Sequence, residues 1–165
     1  QSGASWIATP VNAGRAETHG LELEWKAPLG GNALRVNGAR NWSRIERLAG
    51  PDNHLPEQAP WSGAISIERR LSSAPLLLAA GLNVQGGARS ALPGGITLVG
   101  ARQTDLNASA LWRVDARSAW RLSVANLLGQ RREELGRYAG AAGSLVAVTG
   151  TPTWATLRLV FETRL

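Results

Sequence analysis

The strongest constraint on this chain is an alternation with a period of two residues. In "GLELEWKA", Leu21, Leu23, Trp25 and Ala27 alternate with Glu22, Glu24 and Lys26. "ALRVNGARNWS" sets Leu34, Val36 and Trp42 against Arg35, Asn37, Asn41 and Ser43. "WSGAISIERRL" sets Trp61, Ile65 and Ile67 against Ser62, Ser66, Glu68 and Arg70. The pattern returns in "DLNASALWRVDAR", in "WRLSV" and in "WATLRLVFETRL", where Leu157, Leu159, Phe161 and Leu165 oppose Thr156, Arg158, Glu162 and Arg164. Such a period puts apolar side chains on one face of an extended strand and polar ones on the other. With two weaker runs, "SWIAT" and "LLLAAGLNVQ", the spacing predicts an all-β chain of roughly eight strands. No run carries a helical period.

What the apolar face meets decides the class of protein. A closed soluble barrel turns one strand face inward, and Glu, Arg, Asp and Asn on that face are costly unless paired. A membrane barrel inverts the arrangement, polar inside and apolar outside. The connections favour the second. "PLGGN", "SSAP" and "DARSA" are short, whereas "RLAGPDNHLPEQAP", "GGARSALPGG" and "RREELGRYAGAAGSLVAVTGTP" are long, and the two kinds alternate. That is the layout of outer-membrane barrels, with short periplasmic turns and long outer loops. Tryptophan agrees. Trp25, Trp112 and Trp120 fall near the short-turn ends, and Trp42, Trp61, Trp6 and Trp154 near the long-loop ends. Indole prefers the headgroup level, so two bands at opposite strand ends are expected of a membrane barrel.

Composition narrows the field. The 165 residues carry 18 basic side chains, all arginine except Lys26, and 12 acidic ones, for a net charge of +6. The arginines are scattered rather than gathered into a patch, which argues against nucleic acid. No cysteine is present, so no disulfide framework is available. The longest apolar run, "APLLLAAGLNV", is shorter than the ~20 residues a spanning helix needs.

Several segments resemble a family, the TonB-dependent outer-membrane receptors, in the C-terminal part of their barrel. Asn12, Gly14, Ala16, Gly20 and Glu22 in "NAGRAETHGLELE" are similar to one of its strands, and "LPEQAPWSGAISIERRL" to its loop-then-descending-strand segment. "LSVANLLGQRREE" resembles the penultimate strand, with Asn126 and Leu127 on the motif, and "TPTWATLRLVFETRL" stands where the final strand would be. The chain departs from the family in lacking the aromatic after Asn-Leu and in ending on Leu165 rather than phenylalanine. The resemblance implies that residues 1–165 supply about seven or eight C-terminal strands of a transmembrane β-barrel of roughly 22 strands, the lumen being closed by a plug. The plug and its TonB box are not in this sequence.

By that resemblance the chain sits in the outer membrane of a Gram-negative bacterium, among lipid, its own plug and the remaining barrel strands. TonB acts through the plug, and the imported nutrient is a ferric siderophore. The resemblance implies no bond chemistry, no cofactor and no resident metal. The two histidines, His19 and His54, stand without a nucleophile–base–acid pattern. The lumen arginines Arg35, Arg113 and Arg158 are expected to pair with Glu22, Glu24, Asp115 and Glu162. On the last long connection, Arg131, Arg132, Arg137 and Tyr138 form the candidate rim for an anionic ferric chelate. The alternative is a self-contained eight-stranded outer-membrane barrel, either a lipid-modifying enzyme or a structural, porin-like protein. A soluble ligand-carrying barrel stands third.

Overall fold

The computed structural model describes residues 14–50, 52–92, 94–140 and 143–163. The "SWIAT" strand, Trp6, Asn12, Arg164 and Leu165 lie outside the described residues. Everything regular in the described chain is β, in antiparallel pairs.

The elements run β1 (Ala16–Leu29), β2 (Asn32–Ile45), β3 (Trp61–Arg70), β4 (Leu76–Gln85), β5 (Arg89–Leu92), β6 (Ile96–Gly100), β7 (Gln103–Arg113), β8 (Ser118–Ala125), β9 (Arg132–Gly140), β10 (Gly143–Thr151) and β11 (Thr156–Thr163). Seven of them form one sheet in the order β1-β2-β3-β4-β7-β8-β11, a meander with β1 and β11 at its edges. Among the described residues it does not close into a barrel. We call this sheet the wall.

Register keeps the two faces separate from strand to strand, because each pairing joins residues of like character. Ala27 opposes Leu34, Leu34 opposes Ile67, and Ile67 opposes Ala80. Ala80 continues to Ala108, Val124 and Leu157. One row nearer the short turns, Leu78, Ala110, Leu122 and Leu159 line up, then Leu76, Trp112, Trp120 and Phe161. The Trp120 and Phe161 rings lie 4.9 Å apart between centroids. On the opposite face Arg35 stands across from Ser66, Asn83 from Asp105 and Ser109 from Ser123. A slip of one residue in any pair would invert that strand.

The short turns are built by local chemistry. Leu29 pairs directly with Asn32, leaving a two-residue loop in which Gly30 and Gly31 have φ of 55° and 81°. Two consecutive positive φ values suit the right-handed twist of a hairpin and favour glycine. At residues 114–117 an Asp115 carboxylate oxygen accepts the backbone N–H groups of Arg117 at 2.7 Å and Ser118 at 2.8 Å. Those donors, Arg117 first, hold the Asp115 carboxyl below the usual carboxylate range. A lowered value means that this support is present at neutral pH and is lost as pH falls through the lowered pKa. We expect hydrogen-exchange protection of the Arg117 and Ser118 amides to fall on acidification, and Asp115→Ala to show the low value at every pH. Protection that ignores both changes would remove the aspartate from the turn.

The long connections differ from expectation. "GGARSALPGG" contains β5 and leads into β6, and "RREELGRYAGAAGSLVAVTGTP" holds β9 and β10; these four strands join in a second sheet ordered β10-β9-β6-β5. Its order follows the wall: β5 extends β4, β6 extends β7, β9 extends β8 and β10 extends β11. The four strands break at matching places, residues 86–88, 101–102, 126–131 and 152–155. Bonds from Gly100 N to Ala88 O (2.8 Å) and from Ala101 N to Glu133 O (2.9 Å) carry the ladder into the break. There the backbones come so close that a Cβ on Gly87 would collide with the Gly100 carbonyl oxygen. In the remaining connection, residues 46–50 and 52–60 are irregular. They are held by Ile45 N to Asn53 O, by Leu55 N to Ser43 Oγ and by the Asp52–Arg89 ion pair at 2.9 Å.

Almost nothing is buried. Among the described residues only Ile45 and Ala59, each 9 % exposed, qualify as buried apolar side chains. The fold positions two faces and a rim rather than a core.

Candidate membrane-facing wall and ligand rim

One face of the wall is apolar. Leu21, Leu23, Trp25, Ile65, Ile67, Leu78, Trp112, Trp120, Leu122, Leu157, Leu159 and Phe161 all stand on it and are all exposed, Leu23 at 73 % and Leu157 at 68 %. Burying one such side chain stabilises by about 1.5–3 kcal/mol. A dozen left half bare in water forgo on the order of 10 kcal/mol, as much as the net stability of a whole domain. This face therefore has to be covered by something other than the described chain.

The polar face carries charge in pairs. Glu24 meets Lys26 at 2.9 Å and Arg35 at 3.8 Å, and Arg121 meets Glu162 at 2.7 Å. Of the expected lumen pairings, Arg35–Glu24 forms. Glu162 takes Arg121 rather than Arg158, because Arg121 lies beside it on β8. Asp115 serves its turn and not a lumen arginine. All these side chains are about half exposed, so water screens each pair and it contributes little to stability.

Where the wall meets the second sheet, side chains close the break. Asn126 stands at φ 53°, a left-handed conformation that asparagine tolerates better than most residues. Its N–H donates to Asn107 Oδ1 at 3.0 Å, and its Nδ2 donates to Thr153 Oγ1 at 2.9 Å and to the Trp154 carbonyl at 3.1 Å. Thr153 Oγ1 in turn donates to the Gln130 carbonyl, and Gln130 Oε1 accepts the Thr104 N–H at 2.7 Å. The resemblance marked Asn126 as a motif position. That it ties three segments together emerges only from the fold.

Two clefts open beside this network. One, of about 80 Å³, is lined by Gln103, Thr104, Asp105, Asn126, Gln130, Arg131, Arg132 and Thr153. A second, of about 190 Å³, shares Gln103 and Asp105 and extends over Asn37, Ser62, Ala64, Asn83 and Gln85. Amide and hydroxyl groups with two arginines can hydrogen-bond a polar or anionic ligand.

The four nominated rim residues do not converge. Arg131 and Arg132 line the smaller cleft, the Arg131 guanidinium lying against Gly150. Arg137 and Tyr138 sit farther along β9, and as strand neighbours they point to opposite faces. Arg137 opposes Thr97 and Val146, while Tyr138 opposes Ile96 and Leu145. Six residues of strand put Tyr138 about 20 Å from Arg132. The cause is the strand itself, since a loop could have folded the four together and a ladder cannot. The Tyr138 ring instead covers Gly136, where an added Cβ would stand 3.2 Å from it.

The histidines are likewise apart. His54 Nδ1 lies 2.8 Å from the Ser43 carbonyl, an oxygen that only accepts, so Nδ1 bears the proton. His19 sits on β1 across from Trp42. Among the described residues no three His, Cys, Asp or Glu side chains gather as a metal site. Comparison with known proteins found no matching family model, no matching curated protein and no matching solved structure.

Proposed function

We propose that this chain is wall and outer rim of a transmembrane β-barrel in an outer membrane, serving TonB-dependent uptake of a scarce nutrient, a ferric siderophore. The observation that carries the membrane reading is the apolar face that runs across all seven strands with no core behind it. Strand length agrees: β3 and β4 have ten residues each, and about 9–11 tilted residues cross a bilayer. Among the described residues β1 and β11 are unpaired on their outer sides, exposing backbone groups that lipid cannot satisfy, so further strands are needed to close the barrel. The transport reading rests on the family resemblance of the "NAGRAETHGLELE", "LPEQAPWSG" and "LSVANLLGQ" segments, and the ligand's charge on the arginines. The membrane reading is tested by spin labels at Leu23, Ile65, Ile67, Leu122 and Leu159. They should be relaxed by lipid-soluble oxygen, while labels at Glu22, Glu24, Arg35, Ser66 and Arg158 respond to water-soluble nickel chelates. The reverse pattern would sink the membrane reading.

For the rim, Arg131 and Arg132 are the ligand contacts and Arg137 lies outside the contact set. Replacing Arg131 and Arg132 with alanine should weaken binding of an anionic ferric chelate about ten-fold, the scale of one lost charge-assisted bond. It should also flatten the salt dependence of binding, while Arg137→Ala changes affinity little. Barrel assembly should be unaltered in both variants, because exposed charges add little to stability. Unchanged affinity and salt slope in the double variant would remove the cleft from the ligand path.

A further inference from the structure

On β2 the apolar face is interrupted in a way the barrel does not require. On β2, Leu34, Val36, residue 38, residue 40 and Trp42 share that face, and positions 38 and 40 are Gly38 and Arg40. Arg40 stands across from Leu21 on one side and Trp61 on the other, with its guanidinium 5.7 Å from the centre of the Trp42 ring. Among the described residues no carboxylate pairs with it. A cation among Leu21, Trp42 and Trp61 is costly unless a counter-charge comes from outside. It also lines a cleft of about 220 Å³ together with Arg89, His54, Asn41 and Gln58. Asp52 is there too, but its carboxylate is engaged by Arg89 at 2.9 Å, so the cleft keeps a net positive charge from Arg40.

Immediately below Arg40 the same face carries Gly38 paired with Gly63, between Leu23 and Val84. Neither glycine has a positive φ. A Cβ at Gly38 would meet nothing closer than 3.8 Å, and one at Gly63 nothing closer than 3.5 Å. The backbone thus does not demand glycine at either place. Their joint effect is a notch in the apolar face, two strands of ~4.8 Å spacing wide, opening under the cation.

We infer that this part of the wall holds one phospholipid of net negative headgroup charge from the surrounding leaflet, its phosphate in the Arg40 cleft and an acyl chain in the Gly38–Gly63 notch. Arginine presents several N–H donors to phosphate oxygens, and the indole beneath restrains the guanidinium before the lipid arrives. The inference rests on the membrane reading and adds a ligand of defined chemistry at one place on the wall.

The test uses the full-length protein in neutral detergent, with native mass spectrometry of retained lipid during titration with phosphatidic acid or phosphatidylcholine. Phosphatidic acid should be retained preferentially. Arg40→Gln should weaken its retention about ten-fold, and Gly63→Val should weaken it several-fold without changing any charge. Equal retention of the two lipids, or retention indifferent to Arg40→Gln, would overturn the site. Displacement by inorganic phosphate together with indifference to Gly63→Val would assign the cleft to a soluble ion and also overturn it. Quenching of tryptophan fluorescence by brominated phosphatidylcholine in vesicles separates the two readings. Quenching that persists in Arg40→Gln keeps the wall in lipid whatever the mass spectra give, and its absence in the unmodified protein sinks the membrane reading and the lipid site with it.

Discussion

Arginine in place of Ile67 is expected to destabilise the protein in a bilayer by about 2–4 kcal/mol, the cost of a cation on a lipid face near the midplane. Ile67 lies within the row Leu34, Ile67, Ala80, Ala108 of the apolar face, three residues from the Arg70 end of β3 and six from its Trp61 end. A cleaner pair lies on the next strand. Ala79 and Ala80 are adjacent, of one size, and face opposite sides. Ala80 pairs with Ile67, whereas Ala79 pairs with Glu68 and Ser109. Ala80→Arg should therefore cost about as much as Ile67→Arg. Ala79→Arg places its charge opposite Glu68 on the polar side and should cost less than about 1 kcal/mol. Denaturant unfolding from phosphatidylcholine vesicles, with tryptophan emission as readout, measures all three. Equal costs for Ala79→Arg and Ala80→Arg would mean that the two faces see the same medium, which no membrane wall can do.

How far the sequence shows this fold depends on what each strand faces. Leu21 to Lys26 alternate because one side is apolar and the other polar, so the period appears in the residues themselves. In β9, "REELGRYAG", and β10, "GSLVAVTGT", both faces are largely exposed, and backbone ladders alone hold the pair. Nothing then selects for alternation, and the segment looks like a loop. The same ladder spreads the nominated rim: Arg137 and Tyr138 are close in sequence to Arg132 but are separated from it by strand geometry. Glu162 met Arg121 instead of Arg158 because strand register, not charge alone, chooses partners. The Arg40 site was partly visible. The alternation in "ALRVNGARNWS" falters at Gly38 and Arg40, but a faltering pattern acquires meaning only when Gly63 is known to lie beside Gly38.

The junction between the sheets should be the most sensitive place outside the apolar face, and Asn126 its weakest point. Asn126→Ala removes the bonds to Thr153 Oγ1 and the Trp154 carbonyl, each contributing about 1 kcal/mol. It also forces a non-glycine residue without a helpful side chain to hold φ 53°, at a further cost of about 1 kcal/mol. The expected loss is about 2–3 kcal/mol in total. Asn126→Gly loses the same bonds without the steric cost and should be milder by up to ~1 kcal/mol. Because Thr153 and Gln130 are fixed through Asn126, the loss should be local: β9 and β10 loosen while the wall holds. Hydrogen exchange reads this directly, with amides of Tyr138 and Val146 losing protection and those of Ile65 and Leu122 keeping theirs. Arg131 and Arg132 follow Gln130 directly and lead into β9, so the same variant should blur the cleft that they and Asn126 line and weaken chelate binding even with both arginines in place. If Tyr138 and Val146 stay as protected as before, the asparagine is not the tie, and the second sheet is held by its ladder to Gly100 and Ala101 alone.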